Sequence, residues 1–230
     1  MNHDTCVIIP VYNEAEVIED VLRSVKKEFA NILCVDDGSD DESADLILKS
    51  GVKLVQHAKN KGSGAALRTG IQQALSDPKN KYFITFDADG QHRASDAASM
   101  LKYLRRNDVD IVLGSRFLGS AIDMPAIKRV VLKAAIWFSN VTTGLKMTDT
   151  HNGLRVFDRD VAAKMRLYCS GMAHASEIIY RIAENQFRYA ERPVTIIYTA
   201  YSKAKGQSVF NAFNILRELM VYRFRVMRES

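Results

Sequence analysis

The first half of the chain alternates short apolar runs with segments of helical periodicity. Five apolar runs have the length of a strand, and they cover residues 6–10, 32–35, 52–56, 82–86 and 111–113. Helical patterns lie between them over residues 17–25, with Asn13 as a candidate N-cap, and over residues 42–49, 64–74 and 95–105. This alternation predicts an α/β fold with a Rossmann-like, mostly parallel sheet covered by helices on both faces. Ligands bind such sheets beyond the carboxyl ends of the strands.

The second half of the chain is less regular. Helices are predicted over residues 127–141 and 175–185, and a strand pair hinged near Pro193 is predicted over residues 189–198. A long helix over residues 210–227 carries an apolar stripe with arginines beside it, the pattern of an interfacial helix. Because no repeat, low-complexity segment or linker is visible, we predict a single domain over residues 1–230.

The positive charge is concentrated at the C-terminal end. The formal net charge is +5, and residues 188–230 hold eight Lys or Arg against three Asp or Glu. Such an end suits a polyanion such as phosphate or anionic lipid, although a solvated basic helix fits equally well. Residues 1–5 lack the features of a signal peptide, and the longest uncharged apolar-rich stretch, residues 134–145, is shorter than the ~20 residues of a spanning helix. The three cysteines have no metal-ligand spacing, so we expect a cytoplasmic protein, peripheral to the membrane.

Two carboxylates follow the fourth apolar run at positions i and i+2. They belong to Asp87 and Asp89, and Gln91 follows them. Carboxylates that turn out of a strand end can share one hard divalent cation, and Mg²⁺ or Mn²⁺ keeps positions for water and substrate phosphate. The alternative is an acidic turn that only caps the next helix.

Two further loops follow predicted strands. After the second run, Asp37 is a candidate ligand contact, while Asp40 or Asp41 would cap the next helix. Residues 60–64 open a helix and would either cradle phosphate at its N-terminus or form a tight turn without a ligand. They are not a Walker loop, and no Gly-x-Gly-x-x-Gly follows the first run, which argues against a dehydrogenase.

Cations lie beside small or hydroxyl residues in three other segments, residues 114–116, 149–155 and 201–208. In the first of these, Arg116 could bind phosphate bidentately. The five histidines have no zinc-like spacing, and no serine or cysteine triad is apparent; only His92 and His151 fall within motifs.

These motifs together resemble those of family 2 glycosyltransferases. The segments at residues 9–14, 35–39, 60–62, 87–91 and 114–116 have the order and spacing of that family, and the resemblance extends over about residues 5–210. Within the family, the chain is most similar to the branch of dolichyl-phosphate mannose synthases and bacterial polyprenyl-phosphate glycosyltransferases. The resemblance implies an A-type glycosyltransferase fold and transfer with inversion at the anomeric carbon.

The resemblance also implies roles for individual residues. Residues 1–120 would bind the nucleotide sugar and residues 121–209 the acceptor, with an amphipathic helix over residues 210–230. The nucleoside would contact Pro10, Tyr12, Glu14 and Asp37, and Lys61 would also bind the substrate. Mg²⁺ or Mn²⁺ and the diphosphate would be held by Asp87, Asp89 and Gln91, and Arg116 would contact phosphate.

Two later segments resemble acceptor-side motifs of the family in part. Residues 149–155 resemble an Asp-x-x-Ser-Gly-Phe-Arg pattern, with Asn152 and Leu154 in place of Ser and Phe, so Asp149, Asn152 and Arg155 become candidate acceptor contacts. The segment from Lys203 to Ser208 resembles a basic Gly-x-Ser loop that closes over diphosphate. The arginine of that pattern is absent, which leaves Lys203 or Lys205 to act.

The acceptor decides whether a general base is needed. A lipid phosphate oxygen is already an anion, whereas a sugar hydroxyl requires a carboxylate within hydrogen-bond reach. Glu177 is the candidate for that base, and the alternative is a first-turn carboxylate favoured by the helix dipole. The catalytic residues would then be Asp89, Arg116 and, for a hydroxyl acceptor, Glu177.

The function that we expect is inverting, metal-dependent transfer of a sugar from a nucleotide diphosphate to a polyprenyl phosphate at the cytoplasmic membrane face. Transfer to a saccharide hydroxyl in surface-polysaccharide assembly and a silent nucleotide-sugar-binding subunit are the alternatives. The expected partners are the sugar donor, the lipid phosphate, and a membrane surface or small membrane protein reached by residues 210–227. No nucleic-acid partner is expected, and a homo-oligomer is left open.

Overall fold

The computed structural model describes residues 2–205, which form one seven-stranded sheet with helices on both faces. The elements in chain order are β1 (Thr5–Val11), α1 (Ile18–Lys26), β2 (Asn31–Asp36), α2 (Ser43–Lys49), β3 (Lys53–Gln56), α3 (Ser63–Leu75), β4 (Tyr82–Thr85), α4 (Ala94–Leu104), β5 (Ile111–Ile122), α5 (Ala126–Thr143), β6 (Arg155–Asp158), α6 (Arg159–Lys164), α7 (His174–Glu184), β7 (Tyr189–Ile197) and α8 (Ala200–Lys205).

The strand order across the sheet is β3-β2-β1-β4-β6-β5-β7. Every neighbouring pair is parallel except for β6, which runs antiparallel to both β4 and β5. Strands β1, β2 and β4 therefore end at the same edge of the sheet, where their following loops meet. The predicted α/β fold with a mostly parallel sheet is confirmed.

The core lies on both faces of the sheet because successive strand side chains point to opposite sides. In β1, Val7 and Ile9 belong to one buried cluster with helices α1 and α4, and Ile8 belongs to the other with α3, α6 and α7. All three side chains are fully buried. Each such aliphatic side chain contributes about 1.5–3 kcal/mol on burial, so both faces hold the strands in place.

The strand pair predicted over residues 189–198 is wrong, because β7 is one continuous strand parallel to β5. Pro193 lies opposite Ser115, where the register between the two strands shifts before Ser120. Proline lacks an N–H group, and it is tolerated here because β7 is an edge strand and the ladder is already interrupted. The irregularity therefore lies in β5 and not in a hinge of β7.

Asn13 was predicted as an N-cap, and this prediction is also wrong. Helix α1 begins at Ile18 and has no side-chain cap. Asn13 has a positive φ of 54° and its side-chain oxygen accepts the N–H of Asp40 at 3.0 Å. The residue thus joins the loop after β1 to the loop after β2.

Within residues 2–205, no helix is both long enough and apolar enough to cross a membrane. The helix predicted over residues 210–227 and the candidate contact Ser208 lie outside the described residues.

Candidate active site

Three loops meet at the carboxyl edge of β1, β2 and β4. Val11 is paired with Asp36 in the sheet, and the Asp37 N–H donates to the Val11 carbonyl at 2.8 Å. The Phe86 N–H donates to the Ile8 carbonyl at 3.0 Å, which holds the start of the third loop against β1. The parallel sheet thus brings together the motifs at residues 9–14, 35–39 and 87–91.

The carboxylates of Asp87 and Asp89 form the acidic centre of this edge. Asp89 accepts the backbone N–H of Gln91 at 3.0 Å, and Asp87 lies 3.1 Å from the Nε2 of His92. Desolvation and the charge of Asp87 raise the pKa of Asp89 to about 6. Desolvation also acts on Asp87, but the hydrogen bond and charge of His92 and the charge of Arg155 outweigh it and lower that pKa to about 2. Because the charge of Asp87 disfavours a second negative charge at Asp89, a cation bound by both carboxylates would be favoured.

The donor set of this pair fits Mg²⁺ or Mn²⁺. The Asp87 side chain is 47% exposed, so it is open to a ligand. Over residues 2–205, no group of three or more His, Cys, Asp or Glu side chains is placed to hold a metal ion. A hard cation with two carboxylate ligands that takes its remaining oxygens from water and phosphate matches this arrangement.

Gly153 lies directly behind Asp87 and was missed in the sequence. A Cβ at this position would lie 2.0 Å from Oδ2 of Asp87, and the Gly153 carbonyl accepts the hydroxyl of Thr85 at 2.5 Å. The loop before β6 therefore touches the carboxylate with its backbone. Gly153 was within the acceptor-side motif, but only the β4–β6 pairing, which the sequence did not reveal, places it here.

The nucleoside candidates of the first loop contact helix α8. Tyr201 donates its hydroxyl to Glu14 at 2.7 Å, and Lys205 pairs with Glu14 at 2.8 Å and donates to the Tyr12 carbonyl at 2.9 Å. Tyr12 is 42% exposed, whereas Glu14 is buried. Pro10, on β1, is partly buried, and Lys203, on α8, is exposed. The structure thus brings Lys205 to the first loop, where it contacts two of the residues predicted to bind the nucleoside.

Asp37 organises the neighbouring loop. It is 2% exposed, accepts the N–H of Gly62 at 2.7 Å and of Lys61 at 3.1 Å, and lies 2.6 Å from the Nδ1 of His57. Asp37 binds only the backbone N–H of Lys61, and the residue itself is exposed. A nucleoside contact by Asp37 stays a prediction.

The helix caps and turns of this region separate the alternatives left open by the sequence. Asp41 accepts the N–H of Ser43, the first residue of α2, at 2.9 Å, although the N-cap position itself is held by Glu42, whose side chain makes no capping bond. The N–H groups of Gly64 and Ala65 in the first turn of α3 donate to the Ser170 carbonyl at 2.8 and 3.1 Å. Since these donors are occupied by the chain itself, the contacts favour the tight turn, and a phosphate cradle at residues 60–64 stays an untested prediction.

Arg116 and Asp149 form a buried ion pair. The Nε of Arg116 lies 2.6 Å from Oδ2 of Asp149, and its other nitrogens donate to the Tyr198 hydroxyl and the His151 carbonyl, both at 2.8 Å. The guanidinium is 6% exposed. Burial would lower the pKa of Arg116, but Asp149 outweighs it and the pKa is raised. The structure therefore gives each of the three guanidinium nitrogens of Arg116 a protein partner, and its contact with phosphate stays a prediction.

The other acceptor-side candidates also lie inside the protein. Asn152 is 3% exposed and accepts the N–H of Leu154 at 3.0 Å. Arg155 is 2% exposed, and burial lowers its pKa to about 10 although Asp87 and Asp149 oppose the shift. Burial likewise lowers the pKa of His151 to about 4. In this structure, the motif at residues 149–155 is a charged framework behind the carboxylate pair.

Lys128 is a cation of the site that the sequence did not reveal. Its Nζ lies 4.9 Å from the ring centroid of Tyr198, the residue that accepts from Arg116. Burial and the charge of Arg116 lower the pKa of Lys128, while Asp89 opposes them. In the sequence Lys128 is one of several basic residues of a helix, with no motif to distinguish it.

Glu177 does not face the site as a free base. It is fully buried, accepts the N–H of Tyr168 and of Cys169, each at 2.8 Å, and lies 3.9 Å from Arg181. These contacts fix the loop before α7. They favour a structural role for Glu177. That role is to anchor the loop before α7, and it differs from the predicted alternative, a carboxylate favoured by the helix dipole.

Comparison with known proteins agrees with these motifs. The profile of Glycosyl transferase family 2 matches residues 6–165. The uncharacterized protein MJ1222 of Methanocaldococcus jannaschii is 36% identical over 94% of this chain and 90% of that protein. The UDP-N-acetylglucosamine–dolichyl-phosphate N-acetylglucosaminyltransferase of Methanococcus voltae is 29% identical over 94% of each chain.

A likeness in fold extends to a solved structure. Glucosyl-3-phosphoglycerate synthase from Mycobacterium tuberculosis, in complex with Mg²⁺ and uridine diphosphate, has a TM-score of 0.73 at 14% identity. The match covers 95% of this chain and 79% of that one. The predicted A-type glycosyltransferase fold is thereby confirmed.

Proposed function

The chain belongs to glycosyl transferase family 2 and is a glycosyltransferase, and we propose that it transfers a sugar from a nucleotide diphosphate sugar to a polyprenyl phosphate. Transfer proceeds with inversion at the anomeric carbon, at the cytoplasmic face of the membrane. One observation carries the choice of acceptor. The candidate base Glu177 is buried and bound to backbone N–H groups, while the cation Lys128 lies over the ring of Tyr198, whose hydroxyl accepts from Arg116. An anionic acceptor needs cations and no strong base.

The donor binds at the edge where the loops after β1, β2 and β4 meet. Tyr12 and Glu14 contact the nucleoside, with Asp37 shaping the loop beside it. Asp87 and Asp89, with Gln91, would hold Mg²⁺ or Mn²⁺, which when bound supplies positive charge to the diphosphate. His92 and Arg155 keep Asp87 ionised, so this carboxylate is ready for a ligand at neutral pH.

The reaction is a single displacement at the anomeric carbon. A phosphate oxygen of the acceptor forms the new bond to that carbon as its bond to the donor diphosphate breaks, and the nucleotide diphosphate leaves with the electron pair. Negative charge grows on the leaving group, so cations that contact it in the transition state accelerate the step. Lys205 is such a cation on the nucleoside side of the site, provided that the donor displaces it from Glu14.

Lys128 binds the acceptor phosphate. The ring of Tyr198 lies under its ammonium group, and Arg116 fixes that ring through its hydroxyl. A cation over an aromatic face is favoured by the ring quadrupole, which orients Lys128 without neutralising its charge. The charge of Asp89 acts on the same ammonium group, so the acceptor would lie beside the carboxylate pair.

The name of the Methanococcus voltae relative, which includes dolichyl phosphate as acceptor, supports this class of acceptor. The experiment is a transfer assay with the purified full chain, Mn²⁺, a panel of labelled nucleotide sugars and a polyprenyl phosphate in detergent. We expect label in the lipid fraction with the phosphate and none with the matching polyprenol, and an inverted anomeric centre by NMR. Label that moves only to a saccharide hydroxyl, or donor binding without transfer to any acceptor, would contradict the proposal.

A further inference from the structure

Helix α5 presents an apolar face to solvent. Only Leu132 and Ser139 on this helix of 18 residues are buried, and both lie on the same side. The opposite side carries large apolar residues at helical spacing, and their exposed fractions are 61% for Ile127, 68% for Val130, 36% for Val131, 68% for Trp137, 36% for Phe138 and 65% for Val141. A surface helix normally turns such a stripe toward the core. Among the described residues, nothing covers this one.

The charged residues of the segment that carries the stripe are all positive. Between Asp123 and Asp149 the sequence has four cations and no Asp or Glu. Of these cations, Arg129 and Lys133 are exposed on α5 itself. A helix with Trp, Phe and aliphatic residues on one face and basic residues beside it has the pattern of a helix that lies in the membrane interface. An anionic lipid surface is the partner whose charge complements it.

The same helix borders the active site. Lys128, near its N-terminal end, lies over the ring of Tyr198, which hydrogen-bonds Arg116. A membrane under the apolar face would therefore lie about one helix diameter, ~10 Å, from the cation proposed to bind the acceptor phosphate. A lipid phosphate could then reach the site without leaving the bilayer surface.

From this exposed face we propose that α5 docks the enzyme on an anionic membrane surface and so delivers the lipid acceptor. The proposal rests on the proposed function for the acceptor, but the docking itself does not depend on which sugar is transferred. It differs from docking by residues 210–227, which lie outside the described residues.

Trp137 allows a direct test, since it is the only tryptophan of the chain. In buffer, the emission maximum of Trp137 should lie at the long wavelength of a solvated indole and iodide should quench the fluorescence, because the residue is 68% exposed. With vesicles that contain phosphatidylglycerol, the emission of the full chain should shift to the blue and be quenched by brominated lipid. With pure phosphatidylcholine vesicles, binding should be weaker, since each basic residue near an anionic surface contributes about fivefold in affinity.

Paired variants connect the signal to the helix. Val130→Glu combined with Val141→Glu leaves Trp137 in place and should weaken vesicle binding roughly tenfold or more, because two aliphatic side chains no longer enter the interface. Leu48→Glu on α2, at a residue that is 58% exposed, is the matched control and should bind vesicles like wild type. Thermal unfolding should show that all three proteins remain folded.

Three results would overturn the docking. The first is that the double variant binds vesicles with wild-type affinity. The second is that Trp137 in buffer already emits at short wavelength and is protected from iodide at every protein concentration. The third is that this protection from iodide is present in buffer but disappears on dilution. The second result would mean that the chain covers its own stripe, and the third that a second copy does. The proposed function is tested separately by transfer to a short, water-soluble prenyl phosphate without vesicles. The double variant should keep that activity. If the wild type does not transfer sugar to the soluble prenyl phosphate, the result counts against the proposed acceptor and not against the docking.

Discussion

Gly153 packs its backbone directly against the carboxylate of Asp87, so that a Cβ at position 153 would lie 2.0 Å from Oδ2. We therefore expect Gly153→Ala to displace Asp87 and lower turnover by about 10²-fold, the effect of a misplacement of about 1 Å at a catalytic centre. Turnover and Mn²⁺ affinity, each compared with thermal stability, provide the measurement. A variant with the wild-type rate would show that the position of Asp87 is not critical.

Asp89→Ala should abolish metal-dependent nucleotide binding and turnover while the fold stays intact. The reason is that one of the two carboxylates proposed to hold the cation is lost. Calorimetric titration with the nucleotide, with and without Mn²⁺, measures the effect. Asp45→Ala on the exposed side of α2 is the control and should behave like wild type. Full activity of Asp89→Ala, or of the wild type in excess chelator, would exclude the metal assignment.

The pKa of about 6 at Asp89 predicts a pH dependence in the metal-free protein. Because this pKa is raised above the ordinary value of about 3.9, the folded state binds the proton more tightly than the unfolded state. This contribution to stability is present at low pH and is lost as the pH rises through about 6. Asp89→Asn should remove it, so the thermal stabilities of wild type and variant should diverge as the pH rises from about 4 to about 6. Mn²⁺ affinity should move oppositely and weaken as the pH falls below about 6.

Glu177→Gln should affect stability and not the chemistry of transfer to lipid phosphate. The new amide would place an N–H₂ group or a weaker acceptor against the N–H groups of Tyr168 and Cys169, at a cost of about 1–3 kcal/mol. The folded variant should turn over a polyprenyl phosphate at nearly the wild-type rate. A rate loss of ~10²–10⁴-fold at unchanged melting temperature would instead identify Glu177 as a general base.

Lys128→Ala should raise the KM for the acceptor roughly tenfold or more while donor binding stays unchanged, because a charge-assisted contact to phosphate is removed. The assay uses a short prenyl phosphate in detergent, so that membrane docking plays no part. Arg129→Ala, at an exposed neighbour on the same helix, is the matched control. An equal effect of both substitutions would show that general charge, and not a site at Lys128, is responsible.

The sequence predicted the half of the site that depends on continuous strands. The apolar runs before Asp37 and Asp87 identify buried parallel strands, and such strands end at a common edge. It could not predict the partners of Arg116, because its pair with Asp149 depends on the way that β6 enters the sheet. The burial of Arg155 was missed for the same reason, since its neighbours belong to distant strands.

Helix α5 illustrates a second limit. Its periodicity shows which residues share a face, but it does not show whether that face turns toward the core or toward solvent. Residues 127–141 were predicted as a helix, and α5 confirms it, yet the exposure of Trp137 follows only from the packing of Leu132 on the other side. The role of Lys128 depends on that orientation and was missed with it.

The antiparallel strand β6 has a consequence for engineering this enzyme. It contributes residues 155–158 to the middle of the sheet, between β4 and β5, where Phe83 pairs with Phe157. The halves before and after residue 120 are therefore interleaved and not adjacent modules. A chimera that joins the first half to the second half of a relative would replace a central strand, and acceptor preference cannot be exchanged without rebuilding the shared core.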